Sequence, residues 1–200
     1  MILRTSLVVL ILVIALIGVF RGNYIAHASE IKKDVKVINK LPNLSNWSPS
    51  SQALAKELME KYGMPGEFTS NMLIWTNNGV WKKTILYREG VNHNFPASHN
   101  DVLEQTINYR VPVDKFNALS AFDGSITANR TNGTLTVRCK NESLNILALN
   151  FADDIIKDKK TTGEARLEYY KSATEIMKGH GSEFGQQILF KSHLNTSDPR

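Results

Sequence analysis

The sequence predicts an α+β domain: an antiparallel sheet of about five strands, built from two β-hairpins and one further strand, with helices packed on one face in the order α-ββ-β-α-ββ-α-α. Three observations predict it. Asn78-Gly79 and Asn132-Gly133 each stand between two runs of strand-forming residues, and Asn-Gly is the dipeptide that most readily takes the positive φ values of a tight hairpin turn. Leu103, Ile107, Tyr109 and Val111 alternate with Glu104, Thr106, Asn108 and Arg110, the two-residue period of a half-buried strand. The helical stretches carry apolar residues three or four apart and open on good capping residues. Hairpins pair their strands antiparallel, and such a sheet buries one face while the other can meet water.

The chain opens on an export segment. Arg4 and the free amine precede Leu7 to Phe20, fourteen residues without a polar side chain, close to a signal-peptide core and shorter than the roughly 20 residues that span a bilayer. Ala26, His27 and Ala28 form an A-x-A site whose small side chains at Ala26 and Ala28 suit signal peptidase, with the cut before Ser29. Residues 1–28 are therefore read as a signal peptide, or as an N-terminal membrane anchor through residues 2–20 if the cut is not made. Either way the expected location is outside the cytoplasm: periplasmic or extracellular when cleaved, held at the inner membrane when not. Residues 29–47 carry charges and Pro42 without periodicity and read as a tether. Residues 48–178 form the single domain, and 179–200 a flexible C-terminal tail whose Ile188 to Phe190 could fold back or meet a partner.

Within the domain each element has its own signal. Ser48 as cap and Pro49 at the first position start a helix whose Leu54, Leu58 and Tyr62 share a face, and Gly63 with Pro65 ends it. Glu57 and Lys61 are spaced to pair along it. Met72–Trp75 and Val80–Tyr87 form the first hairpin, residues 88–101 a polar loop, and residues 103–111 the next strand. Asp114 is placed to cap a short helix carrying Phe116, Leu119 and Phe122, and Ser125–Arg130 with Thr134–Cys139 forms the second hairpin. The stretch from Asn141 to Lys157 is apolar over most of its circumference and is expected to be the most buried helix. A capping box, Thr161 to Glu164, starts the last helix, which runs to about Met177.

Charge and cysteine content narrow the function. The chain has 24 basic and 19 acidic residues, a net charge of +5, and losing residues 1–28 removes Arg4 and Arg21 and lowers it to +3. The basic pairs Lys32-Lys33, Lys82-Lys83 and Lys159-Lys160 are scattered, without the concentrated stripe that nucleic-acid binding needs. The one cysteine, Cys139, permits no intramolecular disulfide and falls on the apolar face of a strand, the place of a small buried hydrophobe. Sequons at Asn43, Asn46, Asn129, Asn132, Asn141 and Asn195 would matter in a eukaryotic secretory pathway. The compact export segment and the lack of paired cysteines suit a bacterial envelope.

Chemistry has one candidate place. His93, His99, Asp101 and Glu104 lie in and just after the polar loop, and imidazole with carboxylate can hold a divalent metal or exchange protons. Their spacing matches no standard zinc signature. The chain has no G-x-S-x-G, H-E-x-x-H, C-x-x-C, P-loop or Rossmann fingerprint, and Asp153 and Asp154, adjacent on a helix, are read as solvated. No cofactor is called for. The expectation is an exported bacterial envelope protein, a non-catalytic binding or structural domain with a protein or cell-envelope partner, no nucleic acid, and membrane contact only through its N-terminus. The alternative is a small metal-dependent hydrolase built on His93 to Glu104.

Overall fold

The computed structural model describes residues 43–192 and 196–198. The segment read as an export signal, with its Ala26 and Ala28, and the stretch read as a tether up to residue 42 lie outside the described residues. Among the described residues no helix is long and apolar enough to cross a membrane.

Helix α1 (Pro49–Tyr62) begins where the sequence places it: the Ser48 hydroxyl accepts the Ser51 N–H, and Gly63, at φ 78°, closes the C-terminus by donating its N–H to Met59. Leu54, Ala55 and Leu58 on its inner face are buried, as is Trp47 in the stretch read as tether. Six strands follow, β1 (Glu67–Phe68), β2 (Met72–Asn78), β3 (Trp81–His93), β4 (His99–Asn108), β5 (Ile126–Asn129) and β6 (Thr134–Cys139), in one antiparallel sheet of order β1-β2-β3-β4-β6-β5. The α+β class and the two hairpins are as predicted. The sixth strand, β1, has only two residues, too few to show a period in sequence.

The polar loop is shorter than expected. β3 and β4 extend through most of residues 88–101, so only residues 94–98 connect them. Their register slips between Leu86, opposite Leu103, and Val91, opposite Asp101. Gly90 allows the close approach there, since a Cβ on it would lie 2.7 Å from Asn100 Cβ and 2.9 Å from Val102 Cγ1.

Helices α2 (Phe116–Phe122), α3 (Glu142–Ile156) and α4 (Thr162–Met177) complete the fold. Asp114 does not cap α2: residues Val113–Lys115 form a 3-10 turn that leads into the helix without a side-chain cap. Asn141 caps α3 through the Leu144 N–H, and the Thr161–Glu164 box is fully formed on α4. All but two residues of α3 are buried, because it lies between the sheet and α4 with the C-terminal residues against it. The central core joins Trp81, Ile107, Leu135 and Val137 of the sheet to Phe122, Leu147, Phe151 and Tyr169 of the helices; burying such a side chain contributes roughly 1.5–3 kcal/mol. Asp153, read as solvated, is instead buried and accepts a 2.8 Å bond from Tyr109 Oη, with Lys157 Nζ 2.7 Å away. Residues of the tail pack back on the domain, the fold-back that the Ile188 to Phe190 run allowed: Phe184 stacks on Phe151 and Phe190 meets Tyr109 edge-on.

Candidate functional site

The β3–β4 hairpin brings three of the four predicted residues together. His93 pairs directly with His99 at the strand ends, and Asp101 follows two residues later on the same side of β4. The slip in β3 spans five residue steps against two in β4, an odd difference that reverses which side chains face the helices and lets His93 turn toward His99. His93 Nδ1 stands 3.3 Å from Asp101 Oδ2, and His99 Nε2 stands 3.0 Å from Asp101 Oδ1. One ligand atom from each of the three lies within 4.8 Å of the others. The side chains of His99 and Asp101 are only 2% and 4% exposed, that of His93 22%.

Glu104 is not part of this group. On a strand whose side chains alternate between faces, 99 and 101 are odd and 104 is even, so Glu104 lies on the opposite face of the sheet, where its carboxylate accepts a 3.1 Å bond from Tyr87 Oη. The alternation that identified the strand already carried this separation.

Surrounding groups hold the cluster in place. His99 Nδ1 is 2.7 Å from the Ala97 carbonyl, and the buried Cys139 Sγ is 3.4 Å from His99 Nε2 on its other flank. Ser125 Oγ donates to Asp101 Oδ2 at 2.9 Å, and the Ser125 N–H donates to Asp123 at 2.8 Å. The loop itself is fixed by Phe95, whose ring stacks on Tyr169 at 5.7 Å with the Arg166 guanidinium 3.7 Å from its centroid. Sequence alone missed Cys139, Asp123 and Ser125 as neighbours of the histidines, since they come from the second hairpin and its approach. The Asp101 carboxylate beside it holds the His99 imidazole above its ordinary pKa against the opposing effect of burial. Burial raises the Asp123 carboxyl and pushes the Cys139 thiol far above its usual range, which favours the protonated thiol.

The second site is the uncovered face of the sheet. One row of paired residues runs across five strands: Thr76, Lys83, Thr106, Thr136 and Thr127. Thr106 and Thr136 share a 2.9 Å hydrogen bond between hydroxyls. With Lys82, Glu104 and several asparagines they line a concavity of about 560 Å³.

The chain matches no protein family, no curated protein and no solved structure with which it was compared. Its two sites therefore rest on their own chemistry. The enclosed cluster offers metal ligands at His93, His99 and Asp101; the open face offers hydroxyl, amide and ammonium groups to a polar partner.

Proposed function

We propose that the chain is exported to the bacterial cell envelope, where its domain acts without catalysis and binds a polar, acid-bearing glycan of the cell wall on the open face of the sheet. The observation that carries this reading is the threonine and lysine row from Thr76 to Thr127 at the floor of an open concavity. Hydroxyl and amide groups match the hydroxyls of a sugar chain, and Lys82 with Lys83 complement its carboxylates. A protein partner would call for an aromatic, apolar centre, and no aromatic or aliphatic residue lines this concavity. Export is supported by the apolar run Leu7–Phe20 and the Ala26-His27-Ala28 site. The hydrolase alternative has weaker support, because His99 and Asp101 are enclosed and Glu104 lies across the sheet from them.

The test is cosedimentation of the purified protein with isolated cell-wall sacculi, beside a Lys82→Glu/Lys83→Glu variant. The wild type is expected to sediment with the walls and the variant to lose at least about tenfold in affinity, with unchanged thermal unfolding, as reversal of two contacting charges predicts. Equal sedimentation of both, or of neither, would overturn the reading.

A further inference from the structure

The histidine cluster contains buried polar atoms that its protein neighbours do not satisfy. Asp101 Oδ1 and His93 Nδ1 are sealed from solvent and have no hydrogen-bond partner, although each has an oppositely polar atom at ion-pair distance. Buried polar atoms in native proteins are almost always satisfied, and an exception points to a strained or catalytic group, a water or an ion. Here one ligand atom from each of His93, His99 and Asp101 lies within 4.8 Å of the others.

We propose that His93 Nδ1, His99 Nε2 and Asp101 Oδ1 bind a divalent transition metal of the zinc class. The 3.0 Å from His99 Nε2 to Asp101 Oδ1 is close to the roughly 3.3 Å edge of a tetrahedron whose ligand bonds are about 2.0–2.1 Å, and His93 Nδ1 stands 3.3 Å from the other oxygen of the same carboxylate. The outer contacts already orient the ligands. His99 Nδ1 lies 2.7 Å from the Ala97 carbonyl, so this nitrogen carries the hydrogen and Nε2 keeps its lone pair for the ion. Ser125 donates to Asp101 Oδ2, leaving Oδ1 for the ion. Imidazole bonded to a backbone carbonyl and carboxylate bonded to a hydroxyl are the usual supports around a metal. Two imidazoles and a single carboxylate suit zinc and its neighbours, whereas calcium and magnesium take oxygen-rich shells. A proton shared between His99 and Asp101 would leave His93 Nδ1 unsatisfied; an ion satisfies all three. With His99 and Asp101 almost fully enclosed, the ion ties the ends of β3 and β4 together through three protein ligands. This site is separate from the open face, and neither proposal depends on the other.

The experiment is isothermal titration of the purified, chelator-stripped full chain with zinc chloride, with magnesium chloride for comparison, followed by thermal unfolding with and without zinc. One zinc per chain is expected, no measurable magnesium, and a rise in unfolding temperature that grows with zinc concentration. His93→Ala, which alters the most exposed ligand and leaves the core intact, is expected to weaken zinc at least about tenfold while keeping the wild-type circular dichroism. Asp101→Asn should abolish binding, and Glu104→Gln, on the other face, should bind as the wild type does. Absence of zinc binding by the folded wild type would overturn the proposal, as would equal binding by the wild type, His93→Ala and Asp101→Asn, which would mark adventitious surface ions.

Discussion

Glu142 gathers three side-chain hydrogen bonds on one carboxylate oxygen. Its Oε1 accepts from Lys61 Nζ at 3.0 Å, Tyr62 Oη at 2.8 Å and Trp81 Nε1 at 3.2 Å. Those donors come from the end of α1 and the start of β3, so one carboxylate in the first turn of α3 ties three elements together, at the helix end whose dipole favours an anion. Burial and then Glu142 raise the Tyr62 phenol; burial opposes a charged Lys61, yet the carboxylate leaves the ammonium above its ordinary pKa. Glu142→Ala removes the acceptor from the buried Trp81 indole and the half-buried Tyr62 phenol, and we expect it to cost about 2–4 kcal/mol in urea unfolding. Glu142→Gln keeps an acceptor oxygen and should cost less. The sequence offers Lys61 a partner one helical turn away, Glu57, and gives no sign of the true one, since a contact across 81 positions leaves no local pattern. The histidine cluster is legible for the opposite reason: His93, His99 and Asp101 are close in the chain, and strand parity separates Glu104 from them.

At the scale of elements, the caps were the most readable features, because a cap is a local bond whose residue types are written side by side. Ser48 and Thr161 cap as their positions suggest, and Asn141 caps α3. Asp114 does not, since a 3-10 turn leaves the following helix to start at Phe116. The full length of β3 was hidden because its slipped segment, Arg88 to Gly90, breaks the alternation by which a strand is recognised. The α4 capping box carries a pH dependence with a definite sign. Bonds from the Thr161 N–H and hydroxyl hold the Glu164 carboxyl below its ordinary pKa of 4.5. A carboxyl lowered in the folded state stabilises above the unfolded value, and that contribution is lost as the pH falls through the folded one. Wild type should therefore be more stable than Glu164→Gln near neutrality, and the gap should close on acidification below 4.5. Thermal unfolding of both proteins across that range checks it; a gap that persists in acid would show that charge on Glu164 is not what stabilises the cap.

For the whole molecule, the question is where the fold ends. The glycines at 179, 181 and 185 suggest a loose tail, yet Asn150, buried in the middle of α3, spends its amide on that segment. Its Nδ2 donates to the Phe184 carbonyl at 2.8 Å and the Gln187 carbonyl at 2.9 Å, and its Oδ1 accepts the Leu189 N–H at 2.9 Å. Asn150 on a largely apolar helix and the apolar run Ile188 to Phe190 are the traces of this docking in the sequence, and neither names its partner. Further along, Thr196 donates its hydroxyl to the Gly133 carbonyl at 2.6 Å, and a Cβ on Gly133 would fall 2.0 Å from the Thr196 backbone. Asn150→Ala leaves three backbone groups without partners and should cost about 1–3 kcal/mol. Ending the chain after Gly181 removes the same bonds and also uncovers the apolar surface under Phe184 and Phe190, so it should cost more than Asn150→Ala in urea unfolding. The order of the two variants is the decisive outcome. If the truncated chain is as stable as the intact one, the C-terminal residues only rest on the domain; if it falls below Asn150→Ala, they complete its core.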